Sequence, residues 1–531
     1  MRKFTLLLLC LLMLVAPLLV SCGKKDKGST GTTTGTTTTP GDPGGTTTEP
    51  PQTKWSGVDF GGETITIQLS AFTNAEFSSG GKKYMEGPGQ VSSDSVQNLV
   101  FERNVDAMGT LNLQVNYVYL NSGWGQISQQ IVTSEASGQP PDMYVDMIYD
   151  MATAAMSACF RNAKSVTPET GRGYFTFAEE DGFLTNFIND MSLSDDKAFL
   201  LGSDYFIDMV RAMFVMPVNI TMYESKVDDI SDFYQSIIRG EWTWDRLIEL
   251  GNQIYNDTNV DSKSDMSDLL VFAAERGGGK TPSGILYSTD INVVQAESQP
   301  DGGYLYTYRP SNEDLPVLFE TIGRVFSTKG VAVAEGGTAD ENVAAIRAKF
   351  SEGSILFAGA VMLGSIEEDD YQNMSDSFGL VPLPKLSEDR RYNTLIHNVG
   401  RCGALSLVSP NFRPVSAFVQ FCTEVSDPII KEYYNVAMKY KYTNDPGTAE
   451  MLDMIYDNIV SNREKMLEDL ISVRNSAVQP FGWSRLLTGN DFDFTTNATQ
   501  IASLYAQCVQ AKQVALDSIL TDWNLLPSGL D

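Results

Sequence analysis

The chain has 531 residues, too many for one ordinary hydrophobic core, so two or more lobes are expected. Its 67 acidic against 38 basic side chains give a net charge of −29, which argues against nucleic acid and against a broad face for anionic membranes. The apolar content of 42% is ordinary for a globular protein, and after the first 22 residues no apolar run is long enough to span a bilayer.

Arg2 and Lys3 precede the apolar run, which closes on Leu19-Val20-Ser21-Cys22. A basic start, an apolar centre and a small residue before the break make a secretory signal. A retained anchor helix is the competing reading, because the run approaches the length of a short span. The ending resembles the bacterial lipobox, which implies removal of residues 1–21 and a lipid on Cys22. Residues 22–54 hold Thr, Gly and Pro with almost nothing apolar. Such a stretch buries too little surface to offset chain entropy, so it reads as a disordered tether of roughly 30 Å reach.

Phe60–Leu69 alternates and is β-branched, so it reads as a strand. Ser95–Leu111 follows as a helix, Leu113–Val118 as a strand, Gly125–Ala136 as a helix and Met143–Ile148 as a short strand. A helix then starts at Met151. This alternation is the grammar of an α/β domain, in which ligands bind at the carboxyl ends of strands. Ser122–Gly125 and Tyr149-Asp150 stand at such ends. Trp124, between glycines, is either a ligand platform or packing.

Tyr205–Tyr223 is a long apolar stretch cut by Pro217, read as an edge strand or a crossing between sheets. Thr243 caps a helix over Trp244–Tyr255, and Trp242 and Trp244 at its start read as packing before sugar platforms. The lipobox and tether, Phe101–Asn104 leading into Leu111–Val115, Gly240–Leu247, Phe350–Gly353, Phe378–Lys385 and Tyr440–Asp445 follow in one order over nearly the whole mature chain. Together they resemble the extracellular sugar-binding lipoproteins of ABC importers (family 1 solute-binding proteins).

The resemblance implies a type II periplasmic-binding-protein-like α/β fold, two lobes joined by hinge crossings with the ligand between them. Lobe 1 is 55–217 with about 388–435, and lobe 2 is 218–387 with about 436–531. It implies a solute, an oligosaccharide first, delivered by a monomer to permease subunits in the membrane. It places Asp150 where similar maltose-binding proteins put a hydroxyl-binding aspartate, beside Tyr149, with Asn219 on the hinge crossing. Val361 and Met362 stand where the family often reaches the cleft with a tryptophan.

Asp257, Asn259, Asp261, Asp265 and Asp268 have EF-hand spacing, but Ser262 replaces the turn glycine and Asp268 the usual Glu. Relatives often carry an intact loop of this kind, so Asp257, Asn259, Asp261 and Asp268 mark a weak structural calcium site, the alternative being a polar turn. No other cofactor is expected. Ala274–Thr281 nearly spells a phosphate loop, but Pro282 and Gly284 argue against a long helix after it, and it reads as a surface loop. His397 is the only histidine and reads as structural. Cys159, Cys402, Cys422 and Cys508 show no C-x-x-C, leaving disulfides and buried thiols both open.

Pro414–Val425, Ile429–Lys439, Thr448–Ile459, Glu464–Asn475 and Asn497–Leu520 read as helices. The competing class is a lipid-anchored hydrolase acting on carbohydrate. No G-x-S-x-G elbow supports it, and one histidine leaves little for a triad. A structural surface protein would show repeats, and none lies outside the tether.

Overall fold

The computed structural model describes residues 53–70, 81–121, 125–276, 280–291, 294–298, 304–308, 314–367, 369–439, 446–459, 467 and 498–526. The signal and almost all of the tether, the segment Glu464–Asn475 apart from residue 467, and the Tyr440–Asp445 motif lie outside them. In chain order the strands are β1 (Glu63–Ser70), β2 (Leu113–Leu120), β3 (Met143–Met147), β4 (Phe214–Asn219), β5 (Leu270–Glu275), β6 (Val294–Ser298), β7 (Tyr304–Tyr308), β8 (Val331–Ala334), β9 (Ile355–Phe357), β10 (Val361–Met362), β11 (Phe378–Val381) and β12 (Arg401–Leu405).

Two sheets organise the chain from Trp55 on. The first has the order β12-β3-β1-β2, with β1 parallel to both neighbours and β12 antiparallel to β3. The helix Ser95–Leu111 links β1 to β2; Asp94 accepts the Gln97 N–H at its start, and Asn112 closes it in the left-handed conformation. The helix Ile127–Ala136 links β2 to β3. Ile65, Ile67 and Leu69 point inward from β1 in strict alternation, whereas β3 is buried at every position, as a strand covered on both faces must be.

The second sheet has the order β10-β4-β9-β5-β8, with β11 also on β4. Here β5 runs parallel to β8 and β9, and β4 antiparallel to its partners. Pro217 sits inside β4, which has partners on both sides and is therefore not an edge. The Pro217 carbonyl accepts the Ala358 N–H at 3.2 Å. Its missing N–H thus faces the end of the three-residue strand β9, where the ladder stops, and costs no bond. The run Tyr205–Tyr223 divides into the helix Ile207–Arg211, β4 and the helix Ile220–Lys226.

Trp242 and Trp244 are core. Trp242 packs edge-on against Phe233 and donates its Nε1–H to the Pro382 carbonyl at 2.9 Å; Trp244 lies against Phe272. Thr243 caps the helix Trp244–Ile254 by accepting the Arg246 N–H. The hairpin β6–β7, the strands β5 and β8 and the helix Asp314–Ser327 went unread in the sequence. The last helix, Ala498–Leu525, bonds β7 through Gln513 and the Tyr306 carbonyl at 3.3 Å. Its far end rests on the segment before β4. Lys197 donates to the carbonyls of Trp523 and Asn524 at 3.1 and 3.2 Å, a cation at a helix C-terminus, and Phe199 meets the Trp523 ring edge-on at 5.1 Å. Among the described residues no helix is long and apolar enough to cross a membrane.

Candidate functional site

From Tyr205 to Asn219 only Asp208, Arg211 and Asn219 interrupt a run of otherwise apolar and aromatic residues. The helix Ile207–Arg211 sets the two charges one turn apart, and both are buried. Asp208 Oδ1 meets Arg211 Nη1 at 2.6 Å, and Oδ2 meets Arg401 Nη1, from β12, at 2.5 Å. Arg211 turns its other edge to Glu367, which follows β10, with Nε–Oε1 at 2.9 Å and Nη2–Oε2 at 3.1 Å. Glu367 also accepts Tyr433 OH at 2.7 Å and Tyr84 OH at 3.4 Å, and the Arg211 guanidinium lies 4.6 Å over the Tyr84 ring. Two arginines and two carboxylates thus join an edge strand of the first sheet to the turn after an edge strand of the second. Burial pushes the Asp208 carboxyl up, but Arg401 and Arg211 outweigh it and hold it below the usual range.

Beside this seam, Asp146 on β3 accepts the Ser70 N–H, the Ser70 hydroxyl and the Met147 N–H at 2.8–2.9 Å. It fastens the carboxyl end of β1 to that of β3. Burial raises its pKa to about 6 against the pull of Arg401. Tyr119, near the end of β2, donates to Glu86 at 2.6 Å, so three strand ends converge here.

No family model matches the sequence, and no curated protein does. Solved structures match in fold. The galacto-N-biose-/lacto-N-biose I-binding protein of an ABC transporter from Bifidobacterium longum, in complex with lacto-N-biose, aligns with a TM-score of 0.50 at 11% identity, over 87% of this chain and 98% of its own. This chain has the same two-lobed α/β fold. The maltose/maltodextrin-binding domain from Bdellovibrio bacteriovorus bound to maltotriose gives 0.48 at 11% identity, over 86% and 100% of the two chains. An ABC transporter solute-binding protein from Thermotoga lettingae bound with alpha-D-tagatose gives 0.47 at 12% identity, again over 86% and 100%.

In this fold the expected ligand residues fall as follows. Tyr149 is half-buried at the carboxyl end of β3, its N–H bonded to the Asn398 carbonyl at 3.2 Å. Trp124 lies outside the described residues. Asp150 is not in a loop, because the helix Ile148–Ala155 begins three residues earlier than expected and puts it in the first turn. It is 0% exposed; Oδ1 accepts the Ser128 N–H at 3.0 Å and Oδ2 the Gly125 N–H at 3.3 Å. The carboxylate is therefore spent on capping the helix Ile127–Ala136, whose own Gln126 makes no side-chain cap. Burial raises its pKa, opposed by those N–H groups.

Asn219 is likewise spent. Its Oδ1 accepts the Met222 N–H at 2.8 Å, capping the helix Ile220–Lys226, and its Nδ2 donates to Asp376 at 2.9 Å. In this structure Asp150 and Asn219 are buried and hold backbone N–H groups of neighbouring helices. Val361 is buried on β10 opposite Val215, beside Glu275, Thr281 and Tyr371.

The phosphate-loop look-alike does lead into a helix, Thr281–Ser288, because a proline is tolerated in a first turn. Glu275 Oε1 accepts the Lys280 and Thr281 N–H groups at 3.0 and 2.9 Å, so the chain's own carboxylate stands where an anion would.

The calcium-like loop turns as its spacing predicts. Val260 and Ser262 take left-handed backbone, φ 61° and 66°, with no glycine to ease it. Asp257 accepts the N–H groups of Asp261 and Ser262 at 3.2 and 2.8 Å, Asn259 that of Asp261 at 3.0 Å, and Asp261 that of Lys263 at 2.9 Å. Asp268 accepts Thr258 and Asp265 at 3.0 and 3.2 Å. Among the described residues no three acids, histidines or cysteines gather as metal ligands do, and the loop's side-chain oxygens bond its own backbone.

His397 is structural: Nδ1 accepts the Val399 N–H at 3.2 Å and the ring stands edge-on to Phe214. Cys159, Cys402 and Cys422 are buried free thiols.

Proposed function

We propose that the protein is a lipid-anchored binding protein on the outer face of the cell membrane that captures an oligosaccharide between its lobes and delivers it to an ABC permease. The lobes are 55–217 with about 388–435 and 218–387 with about 436–531, and the protein acts as a monomer without turnover. The observation that carries this reading is the two-sheet fold, shared with a protein whose structure holds lacto-N-biose. The converging ends of β1, β2 and β3 lie next to the charged seam, and closure of one lobe on the other is the change a permease can read. Tyr149 and Trp124 are the aromatic faces assigned to sugar rings and Val361 the apolar contact, while Asp150 and Asn219 hold the backbone of their own segments. Cys22 carries the lipid.

Calorimetry of the mature chain against mono- and oligosaccharides, polyols and peptides, with product analysis, tests the reading. Binding of an oligosaccharide, lost in Tyr149→Ala and leaving no cleaved product, supports it. Cleavage would move the protein to the carbohydrate hydrolases, and binding of peptides alone would defeat the sugar assignment. Cell fractionation tests the anchor: Cys22→Ser should release a folded protein, and retention in the membrane without lipid label would mean an uncleaved helix.

A further inference from the structure

Away from the seam, the segment 179–187, the helices Phe412–Glu424 and Asp427–Lys439 and the helix Pro446–Asp457 border a cavity of about 530 Å³. That volume lies within the span of small-molecule sites, roughly 300–1,000 Å³. Eight carboxylates line it against one cation, Lys431, which is already bonded to Asp427 at 2.8 Å. Glu180, Asp453 and Asp457 are exposed around it, and their carboxylates make no hydrogen bond or ion pair among the described residues. Asp204 is only 7% exposed and accepts Tyr456 OH at 2.7 Å through Oδ1 alone.

Tyr434 is the second observation. It is 9% exposed, it lines the cavity, and its hydroxyl is buried with no hydrogen-bond partner. A buried hydroxyl left unpaired is costly, so it is normally satisfied by something. Its ring stands edge-on to that of Tyr456, with centroids 6.4 Å apart, and both residues line the cavity.

We propose that this cavity binds a small organic cation with two or more separated ammonium groups, a linear oligoamine in kind. Its N–H donors meet Asp204 and the Tyr434 hydroxyl inside and Asp453 and Asp457 at the mouth. A compact metal ion does not answer the same arrangement, since among the described residues no three acids gather closely enough to ligate one. An extended cation spans carboxylates that a point charge cannot. The site shares none of these residues with the proposed sugar site, so either can fail without the other.

The test is calorimetry of the mature full chain with spermidine as probe at fixed ionic strength, with magnesium as competitor. One saturable site is expected, not displaced by an equal concentration of magnesium. The double variant Asp453→Asn, Asp457→Asn should weaken spermidine about tenfold, the loss of two solvent-exposed charge contacts. Tyr434→Phe removes a costly unpaired hydroxyl, so its melting temperature should hold or rise while spermidine binding falls severalfold. Equal displacement by magnesium would reduce the effect to counter-ions around an acidic protein, and affinity unchanged in both variants would overturn the site.

Discussion

Asp208 and Asp204 sit on the same short segment, both almost free of solvent, and end up in opposite states. Two arginines face Asp208 and hold its carboxyl below the usual range, whereas burial, helped by the like charge of Asp427 and opposed only by the hydrogen bond from Tyr456, pushes Asp204 up to about 6. Burial disfavours the charge equally in principle; the partner decides. The seam is a closed account of two arginines and two acids. The cavity that Asp204 lines is open, with carboxylates in excess. The first holds the fold together, and the second is free to respond to something outside it.

The sharpest way to break that contrast is Arg211→Met. It leaves Asp208 and Glu367 buried without their shared cation, and should destabilise the chain by about 3–5 kcal/mol in urea unfolding. A loss under about 1 kcal/mol would mean that water reaches the seam. Next comes pH. Asp204 and Asp146 have native pKa values of about 6, above the roughly 3.9 of an unfolded aspartate. The native chain therefore holds more protons between those values. Stability from these groups is full below the unfolded value and is lost as pH rises through 6.

Asp208 works in the other direction, stabilising above the unfolded value and losing that effect as pH falls through its lowered one. The melting temperature should thus be higher at pH 5 than at pH 7.5. Asp204→Asn, which keeps an acceptor for Tyr456, should gain about 2 kcal/mol at pH 7.5 and shrink the difference. A parent protein that melts identically at both pH values would show the cavity floor to be wet.

Smaller still, Asp150→Ala removes the acceptor for two N–H groups and should cost about 1–2 kcal/mol by thermal melting, with Asp150→Asn in between. No effect from either would return the carboxylate to the ligand. The smallest effect belongs to the third carboxylate-rich place, Asp257–Asp268. Millimolar calcium and chelator should give the same melting curve, because its carboxylates hold their own backbone. A rise of several degrees with calcium would mean that the loop regroups around the ion.

Elements with a local signal were legible before any coordinates. The helix Ser95–Leu111 carries its apolar stripe, Thr243 announces the helix after it, and β1 alternates. The strands β5 and β8 went unread because each depends on a partner far along the chain, and no local pattern marks their pairing. The site was half legible. Asp208 and Arg211, three apart in an apolar run, are a readable sign of buried charge, yet nothing near Glu367 or Arg401 points to them. Asp150 and Asn219 were found at strand ends for a good reason, but composition cannot tell a residue that meets a ligand from one that caps a neighbouring helix.

The pairing of β12 with β3 has a consequence in time. Ser409 bonds Asp142, 267 residues away, and Arg401–Leu405 closes the edge that Met143–Met147 leaves open. A chain made at roughly 5–20 residues per second holds that edge unpaired for many seconds while the whole second sheet is still being made. The first lobe is thus the first begun and among the last finished. Its exposed strand is the place where a nascent chain is most open to a holding chaperone, or to another copy of itself.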